Sequence, residues 1–99
     1  MSNQVTVSFS VVPHVQTKDL YAVVDKAIEV VQNSGVRYEV GAMETTMEGE
    51  LDHLLDIIKE AQHACVLAGA SDVITSIKIH YRPNQGVTID EKVGKYRME

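Results

Sequence analysis

The chain has 99 residues, fourteen acids against nine bases, a formal net charge of -5 and one cysteine, Cys65. A chain this short supports one domain around one core, which buries only roughly two-thirds of the surface that the unfolded form exposes. The acidic balance argues against tracking a nucleic-acid backbone, which rests on Lys and Arg neutralising phosphates, and one cysteine excludes an intrachain disulfide or a multi-thiolate metal site.

From Val5 to Val11 the odd positions are apolar (Val5, Val7, Phe9, Val11) and the even ones are Thr6, Ser8 and Ser10. This period of two predicts a strand with one buried face, ending at Val12-Pro13 because Pro lacks the N–H that a ladder uses. Thr17 is the expected N-cap of a first helix, whose apolar stripe is Leu20, Val23, Val24, Ala27, Ile28 and Val31, with Gly35 as its left-handed terminator. Two antiparallel strands follow: Val36, Tyr38 and Val40 alternate with Arg37 and Glu39, and past Gly41-Ala42 the residues Met43, Thr45 and Met47 alternate with Glu44, Thr46 and Glu48.

The stripe Leu51, Leu54, Leu55, Ile58, Ala61, Ala64 or Cys65, and Ala68 predicts a second helix, with Glu48, Glu50 and Asp52 near its positive N-terminal end. The last long strand is expected over Val73 to Tyr81, then Pro83-Asn84-Gln85-Gly86 breaks it, and Val87-Thr88-Ile89 reads as a short extended piece before a polar tail. No linker or repeat divides residues 1–99, so one domain is expected. Its order is βαββαβ, an α+β ferredoxin-like sandwich in which the right-handed crossover rule places both helices on one face of a four-stranded antiparallel sheet.

The other face is then open and carries Thr6, Ser8, Ser10, Arg37, Glu39, Thr46, Glu48, Ser76, Lys78 and His80. None of its hydroxyls sits in a nucleophile elbow such as G-x-S-x-G, so they read as ligand-orienting groups and no catalytic residue is assigned. His14, His53, His63 and His80 are scattered with no metal-ligand spacing, and no metal is expected. Cys65 falls on an apolar stripe as a small core residue. Glu39, Glu44, Glu48 and Glu50 gather around the second hairpin, where they serve a solvated face, a helix N-terminus, acid–base chemistry or recognition of an amine-bearing ligand. Neither helix opens on a Gly-rich loop, and Pro13-His14-Val15-Gln16 holds no Arg or Lys, so phosphorylated ligands are disfavoured.

The N-terminus lacks a basic stretch followed by an apolar run, and nowhere do about 18 uninterrupted apolar residues occur, so a cytoplasmic protein without a membrane span is expected.

Four segments, Val5-Thr-Val-Ser-Phe-Ser-Val-Val-Pro13, Tyr38-Glu-Val-Gly41, Thr45-Thr-Met-Glu-Gly-Glu50 and Ile89-Asp-Glu-Lys-Val93, together resemble the thiamine-binding protein family over essentially the whole chain. The resemblance implies a ferredoxin-like fold, dimers associating into homotetramers, and binding of thiamine or its hydroxymethylpyrimidine half without catalysis and without a cofactor. Carried onto the matching motifs, the candidate ligand-binding residues are Ser8, Ser10, Tyr38, Glu39, Thr45, Thr46 and Glu48. Carboxylates suit the amino group and the thiazolium charge, and hydroxyls suit the ring nitrogens. Two readings stay open beside this one: an enzyme acting on a related heterocycle through Glu39 and Glu48, and a structural or regulatory oligomer whose polar face is an interface.

Overall fold

The computed structural model describes residues 4–16, 19–86 and 88–97. In chain order the elements are β1 (Gln4–His14), α1 (Leu20–Gln32), β2 (Arg37–Val40), β3 (Thr45–Glu50), α2 (Leu51–Leu67), β4 (Asp72–His80) and α3 (Ile89–Arg97). The four strands form one sheet in the order β2-β3-β1-β4, every neighbouring pair antiparallel. This is the expected α+β fold, with α1 and α2 together on one face.

Alternation along the strands decides which face is which. Val5, Val7, Phe9 and Met47 project toward the helices and are buried with Val23, Ala27 and Val31 of α1 and Leu54, Ile57, Ile58, Ala61 and Cys65 of α2. The buried residues of α1 fall at i, i+4 and i+8, the centre of the expected stripe, while Ile28 is only half-buried and Leu20 is exposed. Because α2 packs on α1 as well as on β1, β3 and β4, its buried arc is wider than one stripe and takes in Ile57. Burial pushes the Cys65 thiol up, consistent with a packing residue rather than a thiolate nucleophile.

Three local expectations are corrected. Pro13 lies inside β1, which pairs with β3 only as far as Phe9 and beyond it only with β4; the distal half is therefore an edge, where a missing N–H is tolerated. Asp19 caps α1, its carboxylate accepting the Tyr21 N–H at 3.0 Å, whereas Thr17 lies outside the described residues. Gly35 has φ 85°, the left-handed conformation expected there.

The third correction carries the most weight for the site. Ile89 does not extend a strand but opens α3, a helix in the segment expected to be a polar tail; Val87 lies outside the described residues. Thr88-Ile89-Asp90-Glu91 forms a capping box: the Thr88 hydroxyl accepts the Glu91 N–H at 3.1 Å, and the Glu91 carboxylate accepts the Thr88 N–H at 3.4 Å.

Candidate functional site

On the face away from α1 and α2, strand register lines up two rows of polar side chains. One row is Lys78, Ser8, Thr46 and Glu39, taken from β4 across β1 and β3 to β2. The next, one pleat along, is His80, Thr6, Glu48 and Arg37. Residues directly opposite on antiparallel strands bring their side chains into contact. Accordingly, the Ser8 and Thr46 hydroxyls hydrogen-bond at 2.8 Å in the middle of the first row.

α3 is fastened over the second row. The Ile89 N–H donates to Glu48 Oε1 at 2.7 Å, and Arg37 Nη1 meets Asp90 Oδ2 at 2.7 Å. On the β4 side, Lys92 Nζ contacts His80 Nδ1, and Arg82 Nη2 meets Glu91 Oε2 at 2.9 Å. Hydrogen bonding to Arg37 holds the Asp90 carboxyl below its ordinary range, Arg82 does the same for Glu91, and Asp90 in return raises Arg37. Ile89 is buried to 3% exposure although it stands outside the main core, and Thr6 is buried on what would otherwise be an open face.

The result is a cavity of about 410 Å³, within the range of roughly 300–1,000 Å³ of small-molecule sites. Thr6, Ser8, Thr46 and Glu39 form its floor, and Ile89, Lys92 and Val93 of α3 form one wall. Gly41 and Glu44 from the β2–β3 turn and Lys78 and His80 from β4 complete the lining. Lys78 Nζ reaches Glu44 Oε2 at 3.0 Å, closing the side opposite α3. Gly41 fixes that turn: its N–H donates to the Glu44 carbonyl at 2.9 Å, and a Cβ in its place would stand 2.9 Å from the same oxygen.

Of the residues expected at the site, Ser8, Glu39 and Thr46 line the cavity together. Glu48 stands in the adjacent row, with its carboxylate engaged by α3. Ser10 pairs with Ser76 further along β1, outside the cavity lining. Tyr38 and Thr45 project to the helix-covered face, where Tyr38 pairs with Met47 and Thr45 with Phe9; strand parity therefore removes both from the cavity side. Lys78, His80, Glu44 and the α3 residues are the additions. Strand parity already put Lys78 and His80 on the open face, and the signals for the α3 residues were the T-x-x-E capping box and the i, i+4 pair Ile89 and Val93, which together mark a short helix able to cover the face. Among the described residues, no group of three or more His, Cys, Asp and Glu side chains is placed to hold a metal ion, and no helix is long and apolar enough to cross a membrane.

Residues 7–97 match the family model described as Thiamine-binding protein. A UPF0045 protein of Clostridium perfringens is 54% identical over 91 residues, 92% of this chain and 95% of that one. Among solved structures, a Bacillus cereus domain of unknown function, DUF77, superposes with a TM-score of 0.94 at 79% identity, covering 97% of this chain and 92% of that one. A Thermotoga maritima protein, provisionally named for thiamine biosynthesis or salvage, superposes with a TM-score of 0.85 at 41% identity, covering 95% and 99% of the two chains.

Proposed function

Because the chain belongs to the thiamine-binding protein family, we propose that the cavity between α3 and the sheet binds thiamine or its hydroxymethylpyrimidine half, and that the protein is a carrier, buffer or sensor of that ligand rather than an enzyme. The observation that carries this reading is the row inside the cavity, where a hydrogen-bonded pair of hydroxyls, Ser8 and Thr46, adjoins the carboxylate of Glu39. Carboxylates accept from an exocyclic amino group and offset a thiazolium charge, while hydroxyls both donate to and accept from ring nitrogens. Both carboxylates have protein partners, Glu39 Oε2 lying 3.6 Å from Arg37 Nη2 and Glu48 accepting from the Ile89 N–H, and of the two it is Glu39 that lines the cavity.

Assembly as a homo-oligomer, a tetramer built from dimers, belongs to the same proposal. β4 is an edge strand, and Ile77, Ile79 and Tyr81, which share one parity on or just beyond it, are exposed, an apolar strip on an unpaired edge that a second copy would cover. The same reading holds the protein to be cytoplasmic, with neither nucleic acid nor membrane as partner.

Calorimetric titration of the purified protein with thiamine and with hydroxymethylpyrimidine tests the ligand assignment. Saturable binding of either supports it, and no heat with either at millimolar concentration contradicts it.

A further inference from the structure

The cavity has two chemically different ends. At the β2 end stands Glu39, its carboxylate 3.6 Å from Arg37 Nη2 outside the lining; at the β4 end stand Lys78 and His80, two residues apart on the same face of the strand, with Lys92 of α3 against the imidazole of His80. Ser8 and Thr46 lie between these ends in one cross-strand row. With strands roughly 4.8 Å apart, that row spans about 14 Å from Lys78 to Glu39. Three nitrogen-bearing side chains on one corner of a cavity is a local reversal in a chain whose formal charge is -5.

We infer that the β4 corner is an anion subsite, and that the preferred ligand is a phosphomonoester of the amine-bearing heterocycle, bound with its amino end toward Glu39 and its phosphate toward Lys78, His80 and Lys92. The inference rests on the ligand reading above and adds the phosphate to it. It also replaces the expectation that phosphorylated ligands are disfavoured, which considered only helix N-termini and the loop after the first strand. A phosphate dianion arriving at this corner accepts from the Lys92 ammonium and from an imidazole N–H of His80. Lys78 now has the Glu44 carboxylate as its counter-ion at 3.0 Å, and the phosphate competes with or joins that pair. Glu44 is the opposing charge at this corner, so a ligand oxygen must compete with its carboxylate for Lys78.

The test is calorimetry at low and at moderate salt with three probes: thiamine, thiamine monophosphate and inorganic phosphate. The monophosphate is expected to bind at least about tenfold tighter than thiamine at low salt, a gap of about 1.4 kcal/mol, and the gap should narrow as salt screens the corner. In Lys78→Met and Lys92→Met proteins the ratio of the two affinities should fall below about threefold. Inorganic phosphate should bind far more weakly than the monophosphate. Thiamine binding as tightly as its monophosphate, or more tightly, would overturn the subsite while leaving the ligand reading intact. A ratio unchanged in both lysine variants would overturn the assignment of the corner. Inorganic phosphate binding as tightly as the monophosphate would also overturn the inference, and failure of thiamine and monophosphate alike would overturn the ligand reading with it.

Discussion

Glu48 and Ile89 are 41 positions apart in the chain, and the Ile89 N–H donates to the Glu48 carboxylate at 2.7 Å. One strand residue on the open face thereby holds the first turn of a helix, where a negative group is favoured by the unpaired N–H groups and the helix dipole. Glu48→Ala should release α3, seen as faster amide exchange over residues 89–97 and weaker ligand binding. Glu48→Gln keeps an acceptor and loses the charge, so it should cost about 1 kcal/mol or less of that docking. Unchanged exchange in Glu48→Ala would mean that this contact does not hold the helix.

Acid should release the same helix. Asp90 and Glu91 have carboxyls lowered by Arg37 and Arg82, and the neighbouring charged or titratable groups are Glu39, Glu48, His80 and Lys92. A carboxyl depressed in the folded state contributes stability that is fully present above its unfolded value, about 4, and is lost as pH falls through the lower folded value. The protection factors of the α3 amides, exchange rates corrected for their intrinsic pH dependence, should therefore be steady from neutral pH down to about 5 and fall below about 4. Loosening between pH 7 and 6 would point to a different group.

Binding should report the cross-strand row. Thr46→Val removes one hydroxyl at nearly constant shape and should cost about 0.5–1.5 kcal/mol of ligand affinity, while Glu39→Gln removes a charged acceptor and should cost about 1.5–3 kcal/mol. Calorimetry giving native affinity for both would move the ligand away from this row.

In the core, Leu54 is fully buried, and Leu54→Ala should cost about 2–5 kcal/mol in chemical denaturation. Ile28→Ala should cost clearly less, since Ile28 sits at the margin of the buried stripe. Lys78→Ala should stay within about 0.5 kcal/mol, because its side chain is 77% exposed. The reverse order would invert the assignment of the sheet faces.

The exposed strip on β4 predicts assembly. Ile77→Glu places a charge on an apolar edge and should shift sedimentation from oligomer toward monomer at micromolar concentration. A native protein that sediments only as monomer would contradict the proposed oligomer.

Much of this architecture was legible because its signals are local. Val5, Val7 and Phe9 alternating with Thr6 and Ser8 set the two faces of β1, and Val23, Ala27 and Val31 set the buried line of α1. The cavity was only half legible. Parity placed Ser8, Thr46 and Glu39 on one face, but that they share a row with Lys78 depends on pairings between distant segments, which alternation does not specify. α3 was hidden because it is short, polar and interrupted by Gly94, and its stability comes from contacts with Arg37, Glu48 and His80 rather than from helix propensity. Tyr38 and Thr45 were carried into the site by motif membership, and their own strand parity sends them to the helix side.

Backbone amide NMR of the intact protein during titration with thiamine tests the central claim most directly, because it reports where the ligand sits as well as whether it binds. Shifts should concentrate at Thr6, Ser8, Glu39, Thr46 and residues 89–93, with Lys59 and His63 on the exposed surface of α2 unmoved. Saturable shifts centred elsewhere, or none at millimolar thiamine, would contradict the assignment of this cavity.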